Sequence, residues 1–544
     1  MIFDTGLIVG ILVGGVLSGG ILTLVGLRLV ALLQQSGYGS KRYLKWYFSH
    51  GNIHRKKISL LCLASLLLTA LFALCFSFVA YPTTSDILSV GPVPDFRLTN
   101  LISAIPFFAL AALYLFSEKK YALKVPLKKT SRIVRLCVVF FLVNCAVSIG
   151  LGFGLSALAM AIDKAWAYLL QFVPMGLVFL LLPFMLVCAN ALDSIYEIPH
   201  NRAFVRRAAK ALEKSTCVKV GITGSFGKTS VKHFAAQMLS DKFRVIATPA
   251  SFNTPMGIAR TVLESGLDCD IFLAEMGARH EGDIRELCNL VRPQIGVITG
   301  VCEQHVETFG SLEAIRREKA VLAECAEKVV LGATVREVAA KQAMREGTDF
   351  QMRNLSCTQE GISFELSIGE SRIPIQCGLL GECAAEDVAL VAVLCYLLGM
   401  TGEEISAAAR MLEPVPHRLQ KLEVGGRIIL DDSYNSNVEG AKNAINTLKL
   451  FDGKKIVVTP GLVELGQLSE ELNEALGKAL VGIDVILVGE TLVLPVRKGY
   501  LENGGDEKML RTVPTLSAAQ ELLASELSDG GCVLFLNDLP DIYR

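Results

Sequence analysis

The sequence predicts an α-helical membrane domain followed by an α/β portion built on parallel sheets. Two observations carry this. The first 200 residues hold long apolar runs separated by short loops, and from Thr216 onward short β-branched runs alternate with helical patterns. The first pattern belongs to a chain that crosses a bilayer. The second is that of strand–helix–strand units.

The apolar runs are Leu7 to Val30, Ile58 to Ala80, Leu101 to Phe116, Leu136 to Leu158 and Leu169 to Ala189. They are roughly 16 to 24 residues long, against the roughly 20 that span a bilayer core. Helices of that length without a polar face have no surface to offer water, so five spans are expected. Leu101 to Phe116 is the shortest and carries Pro106; a re-entrant segment is its alternative. The first run is too long for a cleavable signal peptide and lacks a basic start.

Loop charge orients the spans. Lys41, Arg42, Lys45, Arg55, Lys56 and Lys57 lie between the first two, and seven further basic residues from Lys119 to Arg135 lie between the third and fourth. The remaining loops hold only Arg97 and Lys164. The positive-inside rule makes the basic loops cytoplasmic, the N-terminus external and the chain after Ala189 cytoplasmic. A multi-pass protein of the cell (cytoplasmic) membrane, with its α/β portion in the cytoplasm, is the expectation.

Lys and Arg together number 53, as do Asp and Glu, and nothing in that balance points to nucleic acid. The fifteen cysteines are dispersed, without a CxxC pair or metal-type spacing, and read as buried, reduced thiols.

In the α/β portion the candidate strands are Val218 to Ile222, Arg244 to Ala247, Ile271 to Glu275, Ile295 to Thr299 and Val329 to Leu331. A second series comprises Arg427 to Leu430, Lys455 to Thr459, Val485 to Val488 and Cys532 to Leu536. Two series imply two domains, with a boundary where Pro414 and Pro416 interrupt the helical pattern. The expected organisation is a membrane domain over 1–200, a central domain over 201–414 and a C-terminal domain over 415–544.

Between the first strand and a helical stretch lies Gly221-Ile222-Thr223-Gly224-Ser225-Phe226-Gly227-Lys228-Thr229-Ser230. Strand, Gly-rich loop and helix are the context of a nucleotide phosphate site, where backbone N–H groups and the helix N-terminus hold phosphate oxygens. Lys228 would neutralise the outer phosphates and the Thr229 hydroxyl would ligate Mg²⁺. The strict pattern has Gly where this chain has Ile222.

Other residues point to the same chemistry. Glu275 ends an apolar strand just before Met276-Gly277, where α/β sheets place ligand groups. His305 and Glu307 follow the next strand, and Lys319 lies on the helix beginning near Leu312. An acidic residue, a His and a Thr converging on a nucleotide suit Mg²⁺, which favours oxygen ligands. A solvated strand-end cap for the Glu and a structural His are the plainer alternatives.

Five segments in order now resemble the Mur ligase family: Gly224-Ser225-Phe226-Gly227-Lys228-Thr229, Glu275-Met276-Gly277-Ala278-Arg279-His280, His305-Val306-Glu307-Thr308-Phe309-Gly310-Ser311, Asp431-Asp432-Ser433-Tyr434-Asn435-Ser436-Asn437 and Glu464-Leu465-Gly466. The likeness runs from about Val218 to Leu480. It implies a P-loop ATP-binding central domain with a parallel sheet and a C-terminal Rossmann-like domain. It further implies an ADP-forming ligase that phosphorylates a carboxylate with ATP and lets an amine attack the acyl phosphate.

By that resemblance Gly224, Ser225, Gly227, Lys228, Thr229, Ser230 and Asn435 would hold ATP, with Arg418 on phosphate and Asp432 on the ribose. Thr229, Glu275, His305 and Lys319 would serve Mg²⁺. Lys319 falls where the family carries a carbamylated lysine, and Lys228, Lys319 and His305 are the expected catalytic set. Asn253 and Thr254 lie where the acceptor is positioned. A solvated interdomain salt bridge is the plainer alternative for Arg418 and Asp432. Because these two belong to the other domain, closure about a hinge near Pro414 to His417 is expected.

The chain also departs from the family. Five expected spans stand where a small UDP-sugar-binding domain is usual. Cys383 and Asp387 replace the family's His and Asn near the adenine, and Leu536-Asn537-Asp538-Leu539 replaces a Lys-Gly-Ser-Arg-like stretch. The expected substrates are therefore a lipid-linked cell-envelope or peptidoglycan precursor at the cytoplasmic membrane face and an amino acid or dipeptide amine, with membrane lipids and an envelope-synthesis complex as partners. A poly-glutamate-type ligase coupled to export and a non-catalytic nucleotide-binding scaffold are the alternatives.

Overall fold

The computed structural model describes residues 5–49, 52–80, 107–117, 127–162, 173–302, 306–434, 437–463, 465–490, 492–527 and 529–537. The chain divides into two compact units, one reaching to His200 and one beginning at Asn201.

The first unit is helical. Its long helices are Thr5–Gln35, Ile53–Ala80, Ser131–Ile162 and Val173–Lys214, the last continuing past His200. Among the described residues, three helical stretches are long and apolar enough to cross a membrane: Ile8–Gln35, Ser131–Leu158 and Val178–Lys214. The expected span Ile58 to Ala80 falls within the helix Ile53–Ala80. The described part of Leu101 to Phe116 is the helix Phe107–Ser117, short of the roughly 20 residues of a full span; 101–106 and 169–172 lie outside the described residues.

Glycines let two of these helices approach closely. A Cβ on Gly15 would stand 2.3 Å from Ile149 Cγ1, and one on Gly19 would stand 2.4 Å from Cys145 Sγ. Small residues at such crossings bring backbones together where no hydrophobic driving force exists between helices. Asn144 Nδ2 donates to Thr23 Oγ1 at 3.0 Å across the same contact. Arg135 ties Ser131–Ile162 to the helix beginning at Val173 through Asp193 and Glu197.

Among its described residues the second unit holds three sheets. The first comprises β1 (Val218–Thr223), β2 (Val245–Ala247), β3 (Ile271–Glu275), β4 (Ile295–Ile298), β5 (Lys328–Leu331) and β6 (Gln342–Arg345), in the order β2-β3-β1-β4-β5-β6. All its pairings are parallel. Side chains alternate between two cores. Ile271 and Leu273 pack with Val231 and Phe234 of the helix Lys228–Ser240 on one face, whereas Phe272 and Ala274 pack with Leu287 and Leu322 on the other. Parallel strands buried on both faces read as continuous apolar runs, which is why they were visible in the sequence.

β1 lies between β3 and β4, with Ile222 opposite both Glu275 and Val297. The β1-to-β2 connection runs to one side of β1 and the β3-to-β4 connection crosses to the other, and the crevice beyond the strand ends at such a point is where α/β sheets bind ligands.

A three-stranded antiparallel sheet follows, β7 (Phe350–Thr358), β8 (Gly361–Ile368) and β9 (Ser371–Cys377). Then come the helices Glu382–Leu397 and Gly402–Arg410. The third sheet comprises β10 (Gln420–Val424), β11 (Arg427–Asp432), β12 (Lys455–Thr459), β13 (Asp484–Val488), β14 (Leu510–Val513) and β15 (Cys532–Leu536), ordered β10-β11-β15-β12-β13-β14. It is parallel except for the edge pair β10–β11. β6 to β10 and β14 are additions to the strands expected from sequence.

Candidate active site

The loop after β1 needs its glycines. Gly224 has φ +153 and Gly227 φ +72, and Gly227 caps the helix Lys228–Ser240 without any side-chain cap. A Cβ on Gly224 would stand 2.0 Å from Thr299 Oγ1, and one on Gly227 would stand 2.3 Å from Asp387 Oδ1. The backbone is therefore packed from below while the helix N-terminus stays open to an anion.

Lys228 folds back across the loop, its Nζ donating to the carbonyls of Gly224 at 2.7 Å and Ser225 at 3.0 Å. Burial pushes its ammonium down to about 8; Glu275 opposes the shift and Arg418 reinforces it. Ser225 is itself tied to β4's exit, its N–H donating to Gly300 O at 2.7 Å.

Glu275, only 1% exposed at the end of β3, gathers three partners. Thr229 Oγ1 and Lys232 Nζ each donate to its Oε2 at 3.1 Å, and Asn253 Nδ2 donates to its Oε1 at 3.1 Å. Lys232 also donates to Ala250 O, whose residue has φ +44. The loop 248–254 is thus anchored on the same carboxylate. Thr254 accepts from Gly257 N at 3.2 Å and caps the helix Pro255–Ser265, so its hydroxyl is engaged in structure.

Lys319 is 2% exposed on the helix Leu312–Cys325. Burial, then the charge of Lys228, pushes it down to about 7 against the pull of Glu318 and Asp283. Glu318 fixes this helix by accepting from Gly282 N at 2.9 Å and Ile284 N at 2.7 Å. Asp387, beside Gly227, is held well above the usual carboxylate range by burial, with Glu386 adding to it.

The third sheet contributes Arg418 and Asp432. Arg418 lies between His417 (φ +62) and Leu419 (φ +46). His417 Nδ1 pairs with Asp431 Oδ2 at 2.7 Å, and Asp432 Oδ1 accepts from Leu419 N at 3.2 Å. The Arg418 guanidinium lies 4.5 Å from the centre of the Tyr434 ring.

Two cavities adjoin at the loop. One of about 480 Å³ is lined by Phe226, Phe234, Leu380, Cys383, Asp387 and Asp432 among others. One of about 450 Å³ is lined by Lys228, Thr229, Asn253, Glu275, Lys319 and Tyr434 among others. Gly227, Ser230 and Arg418 line both.

Of the residues expected from sequence, Gly224 opens the loop and packs against Thr299, while Ser225, Gly227, Lys228, Thr229, Ser230, Asn253, Thr254, Glu275, Lys319 and Arg418 line the second cavity and Asp432 the first. His305 and Asn435 lie outside the described residues. Sequence reasoning missed Lys232; its spacing of four from Lys228, which puts both on one helix face, was the available signal.

Comparison with known proteins agrees with this geometry. Residues 222–395 match the profile of the Mur ligase middle domain. The chain is 28% identical over 348 residues to the UDP-N-acetylmuramoyl-tripeptide–D-alanyl-D-alanine ligase of Escherichia coli (strain K12), covering 60% of this chain and 77% of that one. It is 30% identical over 355 residues to the ligase of the same name from Mycobacterium tuberculosis (strain CDC 1551 / Oshkosh), covering 58% and 69%. Its fold is similar to MurF from Acinetobacter baumannii, with TM-score 0.57 at 21% identity over 63% of this chain and 78% of that one. It is also similar to MurF ligase from Thermotoga maritima in complex with ADP, with TM-score 0.56 at 24% identity over 63% and 81%. On the sequence matches and the site they cover, the chain belongs to the Mur ligase family of ATP-dependent, ADP-forming ligases.

Proposed function

We propose that the chain joins an amine to a carboxylate of a peptidoglycan or other cell-envelope precursor, through an acyl phosphate, at the cytoplasmic face of the cell membrane. The observation that supports this most is the meeting of Lys228, Thr229, Glu275 and Lys319 from the first sheet with Arg418 from the third around one cavity. The loop 224–230 is read as a P-loop, the central domain as 201–414 and a Rossmann-like domain as 415–544. The N-terminal region 1–200 is read as five spans.

The repulsion between a carboxylate and a γ-phosphate must be offset as they approach. Lys228 and the helix N-terminus would hold the transferring phosphoryl group from one side and Arg418 from the other. Asp432 would orient the ribose, and Asn253, fixed by Glu275, would orient the acceptor with Thr254 shaping the loop beneath it.

A buried carboxylate with a hydroxyl 3.1 Å away is a hard-oxygen donor set that fits Mg²⁺. Thr229, Glu275, His305 and carbamylated Lys319 would hold it. Bound Mg²⁺ withdraws charge from phosphate oxygens. Lys319 suits carbamylation because an amine pushed down to about 7 is substantially neutral at physiological pH. The neutral amine adds CO₂ and releases one proton, leaving an anionic carbamate.

Relatives named for UDP-N-acetylmuramoyl-tripeptide and D-alanyl-D-alanine support a peptide acceptor and an amino acid or dipeptide amine. The apolar helices of the first unit support a lipid-linked acceptor. The test is ADP release by detergent-purified protein with Mg-ATP, a membrane lipid extract, and amino acids or D-alanyl-D-alanine. Release that needs a lipid fraction and one amine, and that vanishes in Lys228→Ala and Lys319→Ala, is the expected result. Tight ATP binding without stimulated release would overturn the reading.

A further inference from the structure

We propose that Tyr434 is a positioning residue that locks the third sheet onto the acceptor loop and aims Arg418. The role rests on the phosphate and acceptor assignments above. Three contacts carry it. The Tyr434 hydroxyl and Ser251 Oγ lie 2.6 Å apart in a hydrogen bond spanning 183 residues of sequence. The Arg418 guanidinium lies 4.5 Å from the Tyr434 ring centre. Tyr434 N donates to His417 O at 3.3 Å, which fixes the ring beside the strained segment that presents Arg418.

Ser251 is two residues before Asn253, whose amide is set by Glu275. One aromatic side chain therefore touches both the cation offered to phosphate and the loop offered to the second reactant. An aromatic face orients a guanidinium without withdrawing its hydrogen-bond donors, and the phenol adds a polar handle at the far end of a rigid ring. Loop and Arg418 move together only while the hydroxyl is in place.

Tyr434→Phe separates the two contacts, since it keeps the ring and deletes the hydroxyl. Amide hydrogen exchange of residues 251–257 in the full-length protein reads the loop, with and without Mg-AMP-PNP. In wild type the nucleotide analogue should slow that exchange; in Tyr434→Phe and in Ser251→Ala the slowing should fall by about fivefold, the worth of one modest hydrogen bond. The double variant should lose no more than either single one, and β3 amides should stay as protected as in wild type. Fluorescent ADP should bind more weakly to Tyr434→Ala than to Tyr434→Phe, because only the former removes the platform under Arg418. Loop exchange that responds to nucleotide equally in wild type and Tyr434→Phe, or additive losses in the double variant, would overturn the role. Lys228→Ala tests the underlying reading separately: undiminished nucleotide binding there would remove the phosphate assignment whatever Tyr434 does.

Discussion

Lys232 Nζ lies 3.1 Å from Glu275 Oε2, and the two side chains are only 5% and 1% exposed. The ammonium neutralises the carboxylate at the head of the crevice and, through Ala250 O, holds the acceptor loop to it. Removing one partner of a buried pair strands the other charge, whereas removing both does not. Lys232→Met should cost about 3 kcal/mol, and adding Glu275→Gln should recover most of it. Melting of the single and double variants checks this; a double variant no more stable than Lys232→Met would refute it.

Lys319 makes stability depend on pH. Its ordinary value of 10.5 is pushed down to about 7 in the folded chain, so across that window the unfolded state binds more protons. Stability attributable to this group therefore rises with pH from about 7 toward 10.5, and the full burial penalty applies below 7. In CO₂-free buffer Lys319→Met should stabilise the protein by roughly 2 kcal/mol or more near neutrality, with a gain that fades as pH rises. Denaturant titrations at several pH values measure it, and a pH-independent gain would contradict it.

Arg418 reaches the cavity from the third sheet, so its loss should act on turnover more than on folding. Arg418→Ala should lower kcat by about 10²-fold or more, as removal of a charge stabiliser does, with melting nearly unchanged. The ADP-release assay decides; an effect confined to the ATP KM would assign Arg418 to ground-state binding instead.

In the helical unit, a Cβ on Gly19 would stand 2.4 Å from Cys145 Sγ. Gly19→Leu should destabilise by roughly 2 kcal/mol through overpacking, and Asn144→Val by under about 1 kcal/mol through loss of the Thr23 hydrogen bond. Thermal melts in detergent report both, and a Gly19→Leu protein as stable as wild type would refute the close crossing.

The inner parallel strands were legible because burial on both faces leaves unbroken apolar runs such as Ile271–Glu275, whereas the partly exposed edge strands Gln342–Arg345 and Leu510–Val513 were not. β7 to β9 carry a different signature, the apolar–polar alternation of antiparallel strands open to solvent on one face, as in Phe350–Thr358, which a pattern of unbroken apolar runs does not reveal. The loop glycines, Lys228 and Glu275 were readable from local context. Lys232 was not, because a lysine four residues along a helix ordinarily reads as solvated, and only the strand end at Glu275 makes it an interior residue. Tyr434 could be quoted in a motif, yet its partner Ser251 lies 183 residues away, a distance no local pattern spans.

His417 and Leu419 hold left-handed backbone on either side of Arg418, a conformation that costs a non-glycine residue on the order of 1 kcal/mol. The assembled site thus stores a recoil beside its own cation. Such backbone persists only where its surroundings over-determine it, so Arg418 is presented in one direction. His417→Gly should remove the backbone cost at that position and let Arg418 point in more than one direction, visible as weaker nucleotide binding with little change in melting.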